Sequence, residues 1–129
     1  MQRIKIMLLA FTFISLTFQI ESNSTFAQLR WFDIYTSVTP KEERFHLDNF
    51  AYHLKTNPEL IGYIGYFNGK NTTVKEINRR ARNAVKYLTK EFGLPKSRFV
   101  LIYVGSRSET RFILQPARST DPPPKFLPE

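Results

Sequence analysis

Residues 59–95 read ELIGYIGYFNGKNTTVKEINRRARNAVKYLTKEFGLP, and the way this stretch divides decides the fold. Glu59 to Phe67 is a short apolar run between turn signals, which is the pattern of a buried strand. Asn68 to Asn71 is a turn, because Asn and Gly tolerate positive φ. Thr73 and Glu76 then form a Thr-x-x-Glu capping box, and Ile77, Ala81, Ala84, Val85 and Leu88 recur at helical spacing. Gly93 is placed to cap the helix C-terminus, and Pro95 prevents continuation. The stretch is therefore predicted to be strand, turn, helix and connector.

The flanking segments supply the remaining elements. Upstream, Thr39, Pro40 and Glu42 form a second capping box with proline at the first helical position. Leu47, Phe50, Ala51 and Leu54 mark its buried stripe, and Asn57-Pro58 ends the helix. "RWFDIY" (residues 30–35) alternates and is predicted to be a strand, with Trp31, Asp33 and Tyr35 on one side and Phe32 and Ile34 on the other. Downstream, "RFVLIYVG" (98–105) is predicted to be a central strand, "SRSE" (106–109) a turn and "TRFILQ" (110–115) a fourth strand that could form a hairpin with the third. The order is β-α-β-α-β-β. The fold class is α/β, an α+β sandwich, with a mixed four-stranded sheet and two helices packed on one face.

The ends of the 129-residue chain differ from this middle. Arg3 and Lys5 precede an uncharged apolar run, Ile6 to Phe18, and a polar stretch leads to Thr25 and Ala27 at the −3 and −1 positions of a cleavage site. Residues 1–27 thus have the anatomy of a secretory signal peptide; the alternative is a retained membrane anchor, against which the run is shorter than the ~20 residues of a spanning helix. Residues 28–116 form the predicted domain. Residues 117–129 are proline-rich and predicted to be a disordered tail.

The formal charge is +8, and removal of residues 1–27 leaves 17 basic and 10 acidic residues, a balance of +7. A basic surface favours anionic partners. Export to the periplasm or cell envelope, or full secretion, argues against nucleic acid as that partner. The chain has no cysteine, which excludes disulfides, thiolate metal sites and a cysteine nucleophile. His46 and His53 are seven apart, not at the i, i+3 or i, i+4 spacing of a helical metal pair, so they read as surface or core-edge residues. No P-loop, dinucleotide fingerprint or nucleophile constellation is present, so the chain is expected to be non-enzymatic and without a cofactor or metal.

On the second helix, Lys75, Arg79, Arg82, Lys86 and Lys90 lie opposite the apolar stripe and read as a solvated face. Arg80 lies on a flank with Glu76, Asn83 and Tyr87. It can pair with Glu76 one turn away. Alternatively it can reach toward the Asn68–Thr73 turn, where a guanidinium and free helix-start N–H groups would hold a carboxylate.

Phe32 to about Leu114 resembles the OmpA-like, peptidoglycan-associating domain. "GYFN" (Gly65 to Asn68), Arg80-Ala81, Tyr87-Leu88 and "GLP" (Gly93 to Pro95) carry the resemblance, and "LDNFA" and "NPELIGYI" are similar to family segments, above all in short secreted relatives. The resemblance implies the same element order and a pocket for the diaminopimelate of a peptidoglycan stem peptide, with Arg80 on its carboxylate. The family's aspartate, which takes the ammonium, is replaced by Asn68, and the family's Asn-x-x-Leu-Ser before the arginine is absent. Asn68, Thr73, Glu76 and Arg80 are the candidate ligand-binding residues. Two readings follow: weak, non-covalent peptidoglycan association in the envelope, or a divergent structural or protein-interaction module that has lost it. A third, less specific reading is polyanion or membrane-surface binding by the basic helix face.

Overall fold

The structure is a computed structural model and describes residues 31–36 and 38–126. The predicted signal peptide and its cleavage site lie outside the described residues, as do residues 127–129. The elements are β1 (Asp33–Tyr35), α1 (Pro40–Thr56), β2 (Leu60–Asn68), α2 (Val74–Phe92), a 3₁₀ turn (Lys96–Arg98), β3 (Phe99–Ser106) and β4 (Arg111–Arg118). This is the predicted β-α-β-α-β-β order in a mixed four-stranded sheet.

Both helices start as their sequences specify. Thr39 accepts a hydrogen bond from Glu42 N at 3.2 Å and Thr73 one from Glu76 N at 3.1 Å. Each cap satisfies an otherwise unpaired helix-start donor and stabilises its helix by about 1 kcal/mol. At the other end of α2, Gly93 takes φ 67° and its N–H bonds to Thr89 O, a left-handed cap that favours glycine. The C-terminus of α1 has a tertiary cap: the Arg98 guanidinium donates to the carbonyls of Leu54, Asn57 and Leu60. A cation there also opposes the negative end of the helix dipole.

The sheet order is β1-β4-β2-β3. β2 runs parallel to β3 and antiparallel to β4, and β4 is antiparallel to β1. Two expectations change here. β3 and β4 do not form a hairpin, because they flank β2 on opposite sides. β3 is an outer strand, not a central one; its apolar composition reflects packing above and below the sheet, which is independent of lateral position. The β3–β4 connection passes over the end of β2. Arg107 N donates to Asn68 O at 2.9 Å, and Gly69 N donates to Thr110 Oγ1 at 3.0 Å. A Cβ on Gly69 would stand 2.5 Å from Thr110 N, so this crossing requires glycine.

The main core lies between the helices and one face of the sheet. Leu47, Phe50, Ala51 and Leu54 of α1 and Ile77, Ala81, Ala84, Val85 and Leu88 of α2 are all buried there, as their spacing predicts. They meet Tyr35, Ile64, Tyr66, Phe112 and Leu114. Burying each large apolar side chain contributes roughly 1.5–3 kcal/mol.

The opposite face carries a second apolar layer of Tyr63, Phe67, Ile113 and Phe126, joined by Trp31, Ile61, Ile102 and Val104. Phe126 is 6% exposed and stacks on Trp31 with ring centroids 5.0 Å apart. The tail is therefore not disordered from residue 117. β4 continues to Arg118, and the chain returns to the sheet at Phe126. Trp31 also departs from its predicted side. The backbone bends at Phe32, whose N–H bonds to Gln115 Oε1 at 2.9 Å. The alternation is broken there, so Phe32 packs with the helix-side core and Trp31 with Phe126.

Candidate functional site

Asn68 ends β2 beneath the β3–β4 connection, and that placement determines its bonding. Its Oδ1 accepts from Tyr103 OH at 2.6 Å and from Ser106 Oγ at 3.0 Å. Its Nδ2 donates to Thr72 O at 2.9 Å. Both acceptor positions of the amide and one of its two donors are thus used inside the fold. The residue is 7% exposed. The following turn is fixed in the same way: Thr72 N donates to Gly69 O, and Thr110 Oγ1 donates to Thr72 Oγ1 at 2.9 Å.

Thr73 and Glu76 stand at the start of α2. Thr73 Oγ1 is committed to its cap bond. Glu76 is exposed and forms no ion pair with Arg80 or any other described residue. With Thr73, Lys75, Arg79 and Arg82 it borders a shallow depression of about 210 Å³.

Arg80 points into the helix–sheet junction. Its Nη2 lies 3.9 Å from Glu43 Oε2 on α1, and its guanidinium carbon stands 5.1 Å from the centre of the Phe112 ring. The i, i+4 pairing with Glu76 gives way to this arrangement because the flank of α2 bearing Arg80 faces α1. Tyr35 OH donates to the same Glu43 oxygen at 3.0 Å, and the Tyr35 ring stacks between His46 and Phe112 at 4.8 and 5.1 Å. His46 Nδ1 lies 2.7 Å from Asp33 Oδ2, tying α1 to β1. The Tyr35 phenol is pushed well above its ordinary pKa, first by burial and then by the Glu43 carboxylate. The Tyr66 and Tyr87 phenols are raised as well, the first by burial and the second by its hydrogen bond to Asp48.

The four candidate residues therefore separate into three settings. Asn68 is locked under a loop, Thr73 and Glu76 sit at an exposed helix start, and Arg80 belongs to a half-buried cluster with Glu43, Tyr35 and Phe112. The partner that sequence reasoning missed is Glu43. It lies on another helix, and only the packing of α1 beside α2 brings it near.

Among the described residues, no group of three or more His, Asp or Glu side chains could hold a metal ion. No described helix is long and apolar enough to cross a membrane. No protein-family model matches the chain, and no curated protein matches it.

Proposed function

We propose that this chain is an exported, non-enzymatic domain of OmpA-like type that serves the cell envelope as a structural or protein-interaction module without a diaminopimelate pocket. The observation that carries this reading is the bonding of Asn68. A ligand-binding relative would present a free carboxylate there. Here Thr72, Tyr103 and Ser106 occupy the amide. Arg80, which would grip the ligand carboxylate, faces Glu43 and Phe112. Opening such a site would strand the buried Asn68 amide, at about 1–3 kcal/mol.

Titration of the purified protein with a diaminopimelate-containing stem peptide tests the proposal. The expected result is no saturable heat or chemical-shift change. Saturable binding that is abolished by Arg80→Ala would overturn it.

A second reading, weak peptidoglycan association at the start of α2, draws on one observation. Glu76 is exposed and unpaired beside Thr73, so its carboxylate is open to an ammonium. Under that reading, retention on purified sacculi at low salt falls on Glu76→Gln and is unchanged by Arg80→Ala.

A further inference from the structure

The two outer strands of the sheet are unequal. β1 has three residues, whereas β3 has eight, Phe99 to Ser106, and pairs among the described residues only with β2. Long outer strands are ordinarily protected by charges, proline or bulges, because their unpaired N–H and C=O groups recruit further strands. β3 reads FVLIYVGS, with no charge and no proline. Its register with β2 is continuous from Phe99 to Tyr103, and the one irregularity comes after Tyr103. Val100 and Tyr103 are 38% and 39% exposed.

Beside this edge, on the helix face, lies a groove of about 490 Å³. Val85, Phe99 and Leu101 form its apolar part, and Arg82, Lys86 and Lys96 its charged rim. All three cations are exposed, and none is in an ion pair with a described residue.

We propose that the β3 edge and this groove bind an extended acidic segment of a partner protein as a fifth strand. Side chains of an added strand alternate between the two faces. On the helix face they would meet Arg82, Lys86 and Lys96, which calls for carboxylates whose stems cover Phe99 and Leu101. On the other face they would lie beside Val100 and Ile102, which calls for apolar residues. The partner is therefore a strand alternating acidic and apolar residues. Main-chain hydrogen bonds to β3 would supply the affinity and the alternation the specificity. A second copy of this chain is a poor occupant. Edge-to-edge pairing would bring two sets of the same three cations together, and like charges across strands are destabilising. The inference rests on the reading of the domain as an interaction module. It is independent of Asn68 and Arg80, so its failure would leave the stem-peptide result standing.

The test uses two synthetic peptides of about eight residues, the length of an ordinary strand, one alternating glutamate with valine and the other lysine with valine. Amide hydrogen exchange is followed by NMR on the protein. The glutamate peptide is expected to protect the β3 amides that point away from β2. It should bind at least about tenfold more tightly than the lysine peptide and weaken as salt rises. The triple variant R82E/K86E/K96E should reverse the preference; all three positions are exposed, and the wild-type comparison stands by itself if the variant fails to fold. Binding without β3 protection, no binding, or equal binding of both peptides would overturn the proposal. So would a concentration-dependent dimer that protects the same amides without peptide.

Discussion

The Phe126 ring lies so close over Gly65 that a Cβ built on the glycine would stand 2.6 Å from the ring's Cγ. The glycine is the seat of the tail: β2 offers a gap in its apolar face, and Phe126 fills it against Trp31.

Gly65→Ala should therefore undock the tail and leave the helix-side core intact. Trypsin cleavage at Lys125, limited in the wild type by docking, should accelerate about tenfold, as expected for a loss of ~1.4 kcal/mol in docking. Phe126→Ala should match it in cleavage and lower global stability by no more than about 3 kcal/mol, because the ring belongs to the smaller of the two apolar layers. Unchanged proteolysis in both variants would show that the tail is held by something other than this contact.

Arg80→Ala is expected to behave as a stability mutation. It removes the pairing with Glu43 and the cation over Phe112, a loss of about 1–2 kcal/mol in urea unfolding. Arg80→Lys should recover less than half of that, since an ammonium lacks the planar, weakly hydrated guanidinium that suits a place over an aromatic ring. A variant as stable as the wild type would separate Arg80 from the Tyr35–Glu43 stack.

Asn68→Asp installs the aspartate that the OmpA-like resemblance implies at this position, yet it should destabilise this chain. An ionised carboxylate cannot donate to Thr72 O and would face that carbonyl in a buried position. The expected loss at neutral pH is about 1–3 kcal/mol. Because that penalty raises the carboxyl's folded-state pKa above its unfolded value, the gap should narrow as pH falls from neutral and close near about 4, where the carboxyl is protonated in both states and regains a donor. Unfolding curves of both proteins across that range provide the check.

Tyr35 links stability to alkaline pH. Its phenol holds its proton in the folded state well beyond the ordinary value of about 10. Above that pH the unfolded chain loses a proton that the folded chain keeps, so stability is intact below about 10 and falls as pH rises further. The slope is about 1.4 kcal/mol per pH unit for a single such group. Tyr35→Phe should flatten the curve in part only, because Tyr66 and Tyr87 are also raised. A wild-type curve with no alkaline slope would contradict the burial of the Tyr35 hydroxyl.

Local sequence sets the elements and their inward faces. Capping boxes at Thr39 and Thr73, the Gly93 stop and the apolar stripes of α1 and α2 are local features; neighbours within one or two turns decide them, and they stand in the fold as read. Pairing is a different matter. Whether β3 joins β4 or lies beyond β2 depends on contacts between residues far apart in the chain. "RFVLIYVG" carries the same apolar pattern at an edge as in the middle of a sheet. The same limit applies to the candidate site. "GYFN" and Arg80-Ala81 suggested half of a ligand motif, but local sequence does not say what stands opposite each side chain. The loop over Gly69 turned Asn68 inward, and the packing of α1 on α2 set Glu43 and Phe112 beside Arg80. Tertiary packing alone also carried the proline-rich end back to Gly65, because a single aromatic ring in a polar tail has no periodicity by which to announce its partner.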